Sequence, residues 1–171
     1  DPDVNEARYM QVIHFKTGKL FEASSALGAL LAKATPEQYA AAQAYGKHIG
    51  ATFQLVDDIL DYTASAEQMG KNAGDDLREG KRTVLMAMTL EKAQGAAREE
   101  LVKNLGNPAL SSEKIESLRT LITETGAVAD VEKLIDRLAE ESRAAANSSV
   151  IHPDARPFLL ALAETAIRRS H

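Results

Sequence analysis

Cysteine is absent from all 171 residues, which excludes disulfides and thiolate metal sites. Long apolar runs are missing as well. The longest, such as Leu27 to Ala32, fall far short of the roughly 20 residues that span a bilayer, so no transmembrane segment is expected. There is no basic stripe: 20 Lys and Arg stand interspersed among 25 Asp and Glu, giving a formal charge of -5, and nucleic acid is not an expected partner. No signal-peptide layout precedes Tyr9, so a cytoplasmic location is expected. No stretch alternates apolar and polar residues long enough to argue for a strand. His14, His48, His152 and His171 lack metal-ligand spacing, and Gly70 to Gly80 fits neither a P-loop nor a dinucleotide fingerprint. Asp57 to Asp61 lacks the alternating ligands and glycine of a calcium loop.

What remains is a globular, helix-forming composition, 44% apolar and 26% charged, in the length of one ordinary domain. The expected architecture is all-α, a single helical domain over 1–171. A first helix is expected from about Asn5 to Leu31, with Tyr9, Val12, Phe15 or Lys16, Leu20, Leu27 and Leu30/Leu31 tracing its buried faces. Gly18 predicts a bend just after Lys16-Thr17. Thr35, Pro36 and Gln38 form an N-cap, a first-position proline and a capping box, predicting a second helix to about Thr63. Residues 64–80 read as a glycine-punctuated loop containing Lys71, Asp75 and Asp76. Further helices are expected at about 82–104, 112–125, 127–147 and 154–169, bounded by Gly106-Asn107-Pro108, Ser111/Ser112, Gly126 and Pro153. The chain opens Asp1-Pro2-Asp3-Val4 without methionine and enters helical periodicity at once, as a chain cut from a longer one would.

The chemistry concentrates in Phe53-Gln54-Leu55-Val56-Asp57-Asp58-Ile59-Leu60-Asp61-Tyr62. On a helix, steps of three and four residues bring Gln54, Asp57, Asp58 and Asp61 onto one face, surrounded by apolar residues. Like charges at that spacing repel by about 0.2–0.5 kcal/mol per pair in water, and by more in a partly buried groove. No Lys or Arg occurs between His48 and Lys71 to relieve them. The stripe must therefore face open solvent or meet cations from elsewhere. Hard oxygen donors suit Mg²⁺, which takes a few carboxylates and keeps its other positions for water and phosphate. The plain alternative is a solvated acidic face, although such faces normally mix both signs of charge.

Flanking residues extend the pattern. Lys16-Thr17 stands in the first helix, Lys71 follows the acidic motif by ten residues, and Gly74-Asp75-Asp76-Leu77-Arg78-Glu79-Gly80-Lys81 comes next. A K-T pair, an F-Q-x-x-D-D-x-x-D helix, a G-K and a G-D-D-L-x-E-G-K segment, in that order, resemble the trans-isoprenyl diphosphate synthases. The resemblance runs from about Asn5 to the C-terminus and is sharpest between Lys16 and Lys81. The stretch from Tyr9 to Glu22 and the tail from Pro153 to Arg169 are most similar to long-chain members, such as octaprenyl diphosphate synthase, which make quinone side-chain precursors like that of ubiquinone.

That resemblance implies the C-terminal portion of an isoprenoid synthase helical bundle. In this family two aspartate-rich motifs hold an allylic diphosphate through Mg²⁺. Departure of the diphosphate leaves an allylic cation, which the double bond of isopentenyl diphosphate attacks before a proton is lost. Metal and lysine stabilise the negative charge that develops on the leaving group. By position, Asp57 and Asp61 bind metal, and Asp58 ligates directly or through water. Lys16 and Lys71 hold the allylic diphosphate. Thr17 and Gln54 line the cation site. Asp76 and Lys81 read as an ion pair that fixes the loop. Arg168-Arg169 reads as a frayed tail, with approach to the second diphosphate as the alternative. The family's partner state implies a homodimer.

The first aspartate-rich motif is missing, and Asp75-Asp76 does not replace it because the spaced third aspartate is lacking. The expectation is therefore half of an active site, inactive alone. A non-catalytic partner subunit of such a synthase and an unrelated helical interaction module are the alternatives.

Overall fold

The computed structural model describes residues 6–63 and 74–168. Among these, every regular element is helical. The elements are α1 (Glu6–Ile13), a π-helical turn (His14–Gly18), α2 (Lys19–Leu31), α3 (Pro36–Thr63), α4 (Asp75–Glu79), α5 (Val84–Lys92), α6 (Gly95–Asn104), α7 (Ser112–Glu124), α8 (Ala127–Ala146), a 3-10 turn (Pro153–Ala155) and α9 (Arg156–Ile167).

The described chain divides into two compact units. One holds Met10–Val56 with Lys133–Arg169, and the other holds Asp57–Glu132 with the start of α1 through Tyr9. In the first unit α2 and α3 touch through their backbones. A Cβ on Gly50 would stand 2.9 Å from Gly18 Cα, and one on Gly46 only 2.5 Å from the Phe21 carbonyl oxygen. Gly18, Glu22 and Ala26 are consequently the buried positions of the π turn and α2. The core beside them gathers Tyr45, Ile49, Ala146, Ala163 and Ala166, with the rings of Phe21 and Phe53 packed against it, tilted at 42° with 5.3 Å between centroids. The Tyr45 hydroxyl donates to the Leu159 carbonyl at 2.7 Å, so the buried phenol keeps its hydrogen bond. Arg143 ties α8 to α9 through Glu164 at 2.7 Å.

This close approach overturns one expectation. Val12, Phe15, Leu20, Leu27, Leu30 and Leu31 were expected inside, and all six are exposed. Large side chains cannot sit where two backbones meet, and the π turn also shifts the helical phase between α1 and α2.

The predicted bounds of α3 hold at both ends. Thr35 and Gln38 make the reciprocal capping box, with the Thr35 N–H donating to Gln38 Oε1 at 3.0 Å and the Gln38 N–H to Thr35 Oγ1 at 3.3 Å.

In the second unit Leu77, Val84, Leu85, Met86, Leu118 and Ile122 are almost wholly buried. Two expectations change here. Part of the predicted loop is the short helix α4, where Asp75 and Asp76 in the first turn and Arg78 in the last complement the helix dipole. Arg78 also pairs with Asp75 at 3.1 Å. The single helix expected at 82–104 is two, because Ala93 and Gln94 are extended and Gly95 takes φ +53°, a conformation that glycine adopts freely. No helix among the described residues is long and apolar enough to cross a membrane.

Candidate active site

The π turn consists of His-Phe-Lys-Thr-Gly and therefore contains the Lys16-Thr17 pair. Single π turns inside α-helices gather at functional sites because the extra residue re-aims neighbouring side chains. Lys16 is exposed and Thr17 half-buried. The Thr17 hydroxyl donates to Gln54 Oε1 at 2.5 Å, so its lone pairs point away from Gln54. Gln54 itself is buried. Two residues 37 positions apart, both assigned to the cation site by the resemblance, are thus joined directly. The first unit also holds an open pocket of 530 Å³ between α2, α3 and α9, lined by Leu20, Phe21, Ile49, Phe53 and Leu162 among others, with no charged side chain in its wall.

The aspartates lie on the last two turns of α3, and their environments differ. Asp57 is exposed, whereas Asp58 and Asp61 are each 7% exposed. Asp58 Oδ2 accepts the Tyr9 hydroxyl at 3.2 Å. Burial of that phenol, reinforced by the Asp58 charge, holds the Tyr9 pKa well above its usual value. Asp61 Oδ2 accepts the Asp76 backbone N–H at 3.2 Å. Burial pushes the Asp61 carboxyl up to about 6, the negative charge of Asp76 adds to the rise, and the Asp76 N–H and Lys81 only partly offset it. Asp76 in turn is held by Lys81 at 2.5 Å, and Lys81 also reaches Glu79 at 3.0 Å. The expected ion pair of the G-D-D-L-x-E-G-K segment is therefore present, with Asp76 orienting Asp61 through its backbone.

Among the described residues, no three acidic or imidazole side chains converge as a closed metal cage would require. The donor set nevertheless fits a hard divalent cation. It offers carboxylates alone, one exposed and two buried, and Mg²⁺ is commonly held by one or two carboxylates with water and phosphate completing the shell. Lys71 and Arg169 fall outside the described residues, and Arg168 pairs with Glu164 at 3.4 Å. Tyr9 was read only as a helix-face residue. Its bond to Asp58 spans 49 positions and has no local sequence signal.

A sequence model of the polyprenyl synthetase family matches residues 1–122. The chain belongs to the polyprenyl synthetase family. It is 39% identical to octaprenyl diphosphate synthase of Escherichia coli over 176 residues, covering 99% of this chain and 52% of that protein. A polyprenyl synthase from Caulobacter crescentus, solved with calcium and isoprenyl diphosphate, superposes with a TM-score of 0.88 at 32% identity, over 100% of this chain and 52% of the other. A geranylgeranyl pyrophosphate synthase from Corynebacterium glutamicum, solved with isoprenyl diphosphate and magnesium, gives a TM-score of 0.85 at 36% identity, over 95% and 46%. The chain spans about half the length of the polyprenyl synthetase relatives it matches. Family, all-helical fold and half coverage thus agree with the expectations drawn from the ordered motifs.

Proposed function

We propose that this chain supplies the second aspartate-rich motif of an all-trans polyprenyl diphosphate synthase, which condenses an allylic diphosphate with isopentenyl diphosphate. Its product is a long-chain precursor of quinone side chains, and the complete enzyme is a cytoplasmic homodimer. The observation that carries the reading is Asp61, a buried carboxylate on the same two turns of α3 as Asp57 and buried Asp58, with Asp76 adding further negative charge. Such a group disfavours the bare anion and favours a bound cation.

Asp57 and Asp61 would hold Mg²⁺, with Asp58 ligating directly or through water. When bound, the metal supplies positive charge to the departing diphosphate. Lys16 and Lys71 hold that diphosphate. Thr17 keeps its proton on Gln54, leaving oxygen lone pairs to face an allylic cation. Lys81 and Asp76 keep Asp61 in place. The first unit's pairing of Thr17 with Gln54 supports the roles of these two side chains and does not depend on the metal.

Calorimetric titration of inorganic diphosphate into the purified chain, with and without Mg²⁺, tests the reading. Weak binding that requires Mg²⁺ and is lost in Asp57→Ala is expected, together with no prenyl transfer from labelled isopentenyl diphosphate. Binding indifferent to Mg²⁺ and to Asp57→Ala would remove the metal site. Robust turnover by the 171-residue chain would overturn the requirement for a second motif.

A further inference from the structure

A carboxylate in the first unit belongs to neither the aspartate motif nor the K-T pair, yet it is one of the most heavily bonded side chains there. Glu22, on the first turn of α2, is 7% exposed. Lys19 Nζ stands 3.0 Å from each of its oxygens. Gln43 Nε2, from α3, donates to Oε1 at 2.9 Å. His14 Nε2 lies 3.5 Å from Oε2. A buried carboxylate is costly unless it is paired and hydrogen-bonded, and this one is served from three directions. Burial pushes its carboxyl up, but the bonds from Lys19 and Gln43 outweigh that, so it stays below the usual range and charged at neutral pH.

The positions of the partners are informative. His14 opens the π turn, Lys19 follows it immediately, and Gln43 stands on the helix that carries Gln54. In a regular α-helix, residues eight apart, such as 14 and 22, stand about 80° apart around the axis. A turn that absorbs one extra residue removes about 100° of that rotation and leaves them nearly in line. The approach of His14 to Glu22 is therefore a property of the π register. Regular α-helical bonding through 14–18 would rotate His14 away while leaving Lys19 where it is.

We infer that Glu22 is a positioning residue. Its carboxylate joins both ends of the π turn to α3, holds residues 14–18 in their π register, and thereby aims Lys16 at the diphosphate and Thr17 at Gln54. The Lys16 half of this statement rests on the function proposed above. The register half stands on the geometry alone.

Two measurements on the full 171-residue chain separate these halves. The first is hydrogen exchange read by mass spectrometry. In Glu22→Ala the amides of 14–18 should exchange about tenfold faster, with peptides from α7 unchanged. Glu22→Gln keeps the volume and repeats the test should Glu22→Ala fold poorly. Unchanged protection of 14–18 in both variants overturns the inference. The second is binding of inorganic diphosphate in the presence of Mg²⁺. Loss of a group that orients a ligand-binding side chain weakens binding about tenfold, so Glu22→Ala should do so in the parent chain and have no further effect in a Lys16→Ala background. An equal loss in both backgrounds would mean that Glu22 acts on overall stability and would overturn the positioning role. A parent chain that binds no diphosphate would remove the proposed function and leave the exchange result to decide the register.

Discussion

Replacing Asp61 by Asn should stabilise the metal-free chain above pH 7 and leave it nearly unchanged at pH 4. The side chain keeps its size and an oxygen that can accept the Asp76 N–H, so only the charge is removed. In the folded chain burial, then Asp76, raises the carboxyl from 3.8 to about 6. Between those values the native state binds more protons than the unfolded chain, so stability falls as pH rises through the window. A shift of roughly two pKa units corresponds to at most about 3 kcal/mol. Screening by water that reaches the carboxylate reduces the expected gain in Asp61→Asn to about 1–2 kcal/mol at pH 8. At pH 4 both states of the parent are largely free of that penalty, and the difference should shrink below about 0.5 kcal/mol. Urea unfolding in EDTA at pH 4, 6 and 8 measures it directly. An Asp61→Asn chain less stable than the parent at pH 8 would show that a cationic partner outweighs the burial of this carboxylate and would refute the reasoning.

Three further outcomes follow from the same geometry. Gly46→Ala should lose about 1–3 kcal/mol in thermal or denaturant unfolding, since its Cβ would meet the Phe21 carbonyl oxygen; a neutral result would contradict the backbone contact of α2 and α3. Tyr9→Phe should lose about 0.5–1.5 kcal/mol by calorimetry, because Asp58 Oδ2 loses the hydroxyl it accepts; unchanged stability would contradict the bond between the two. The exposed apolar face of Phe15, Leu20, Leu27, Leu30 and Leu31 should make the chain self-associate in sedimentation experiments, and Leu27→Ser with Leu31→Ser should reduce this; a strictly monomeric parent would sink the idea.

Local signals were read well and distant ones poorly. Thr35 and Gln38 lie three apart, so the start of α3 was legible as a capping box. Asp57, Asp58 and Asp61 were legible as one acidic stripe, because helical spacing depends only on sequence distance. Their depths were not. Asp58 and Asp61 owe their environments to Tyr9 and Asp76, 49 and 15 positions away, and Asp57 stays exposed on the same helix. The buried face of the first helix was misread because periodicity assumes an unbroken α-helix and favours large apolar residues. The π turn breaks the period, and the contact with α3 selects glycine, alanine and a bonded glutamate instead. The break inside 82–104 has no local signal beyond one glycine, and it is the positive φ of Gly95, after extended Ala93 and Gln94, that separates α5 from α6.

The meeting of α2 and α3 also limits how this site can change. A contact between two large side chains can be retuned by trading volume from one to the other, as repacked cores do. At Gly18 and Gly50 there is no volume to trade, since every other amino acid is larger and none is smaller. The separation between the turn that carries Thr17 and the helix that carries Gln54 stands at its lower bound. A side chain at Gly50, whose Cβ would stand 2.9 Å from Gly18 Cα, can only widen it, and any widening stretches a hydroxyl bond that now stands at 2.5 Å, the short end of its range.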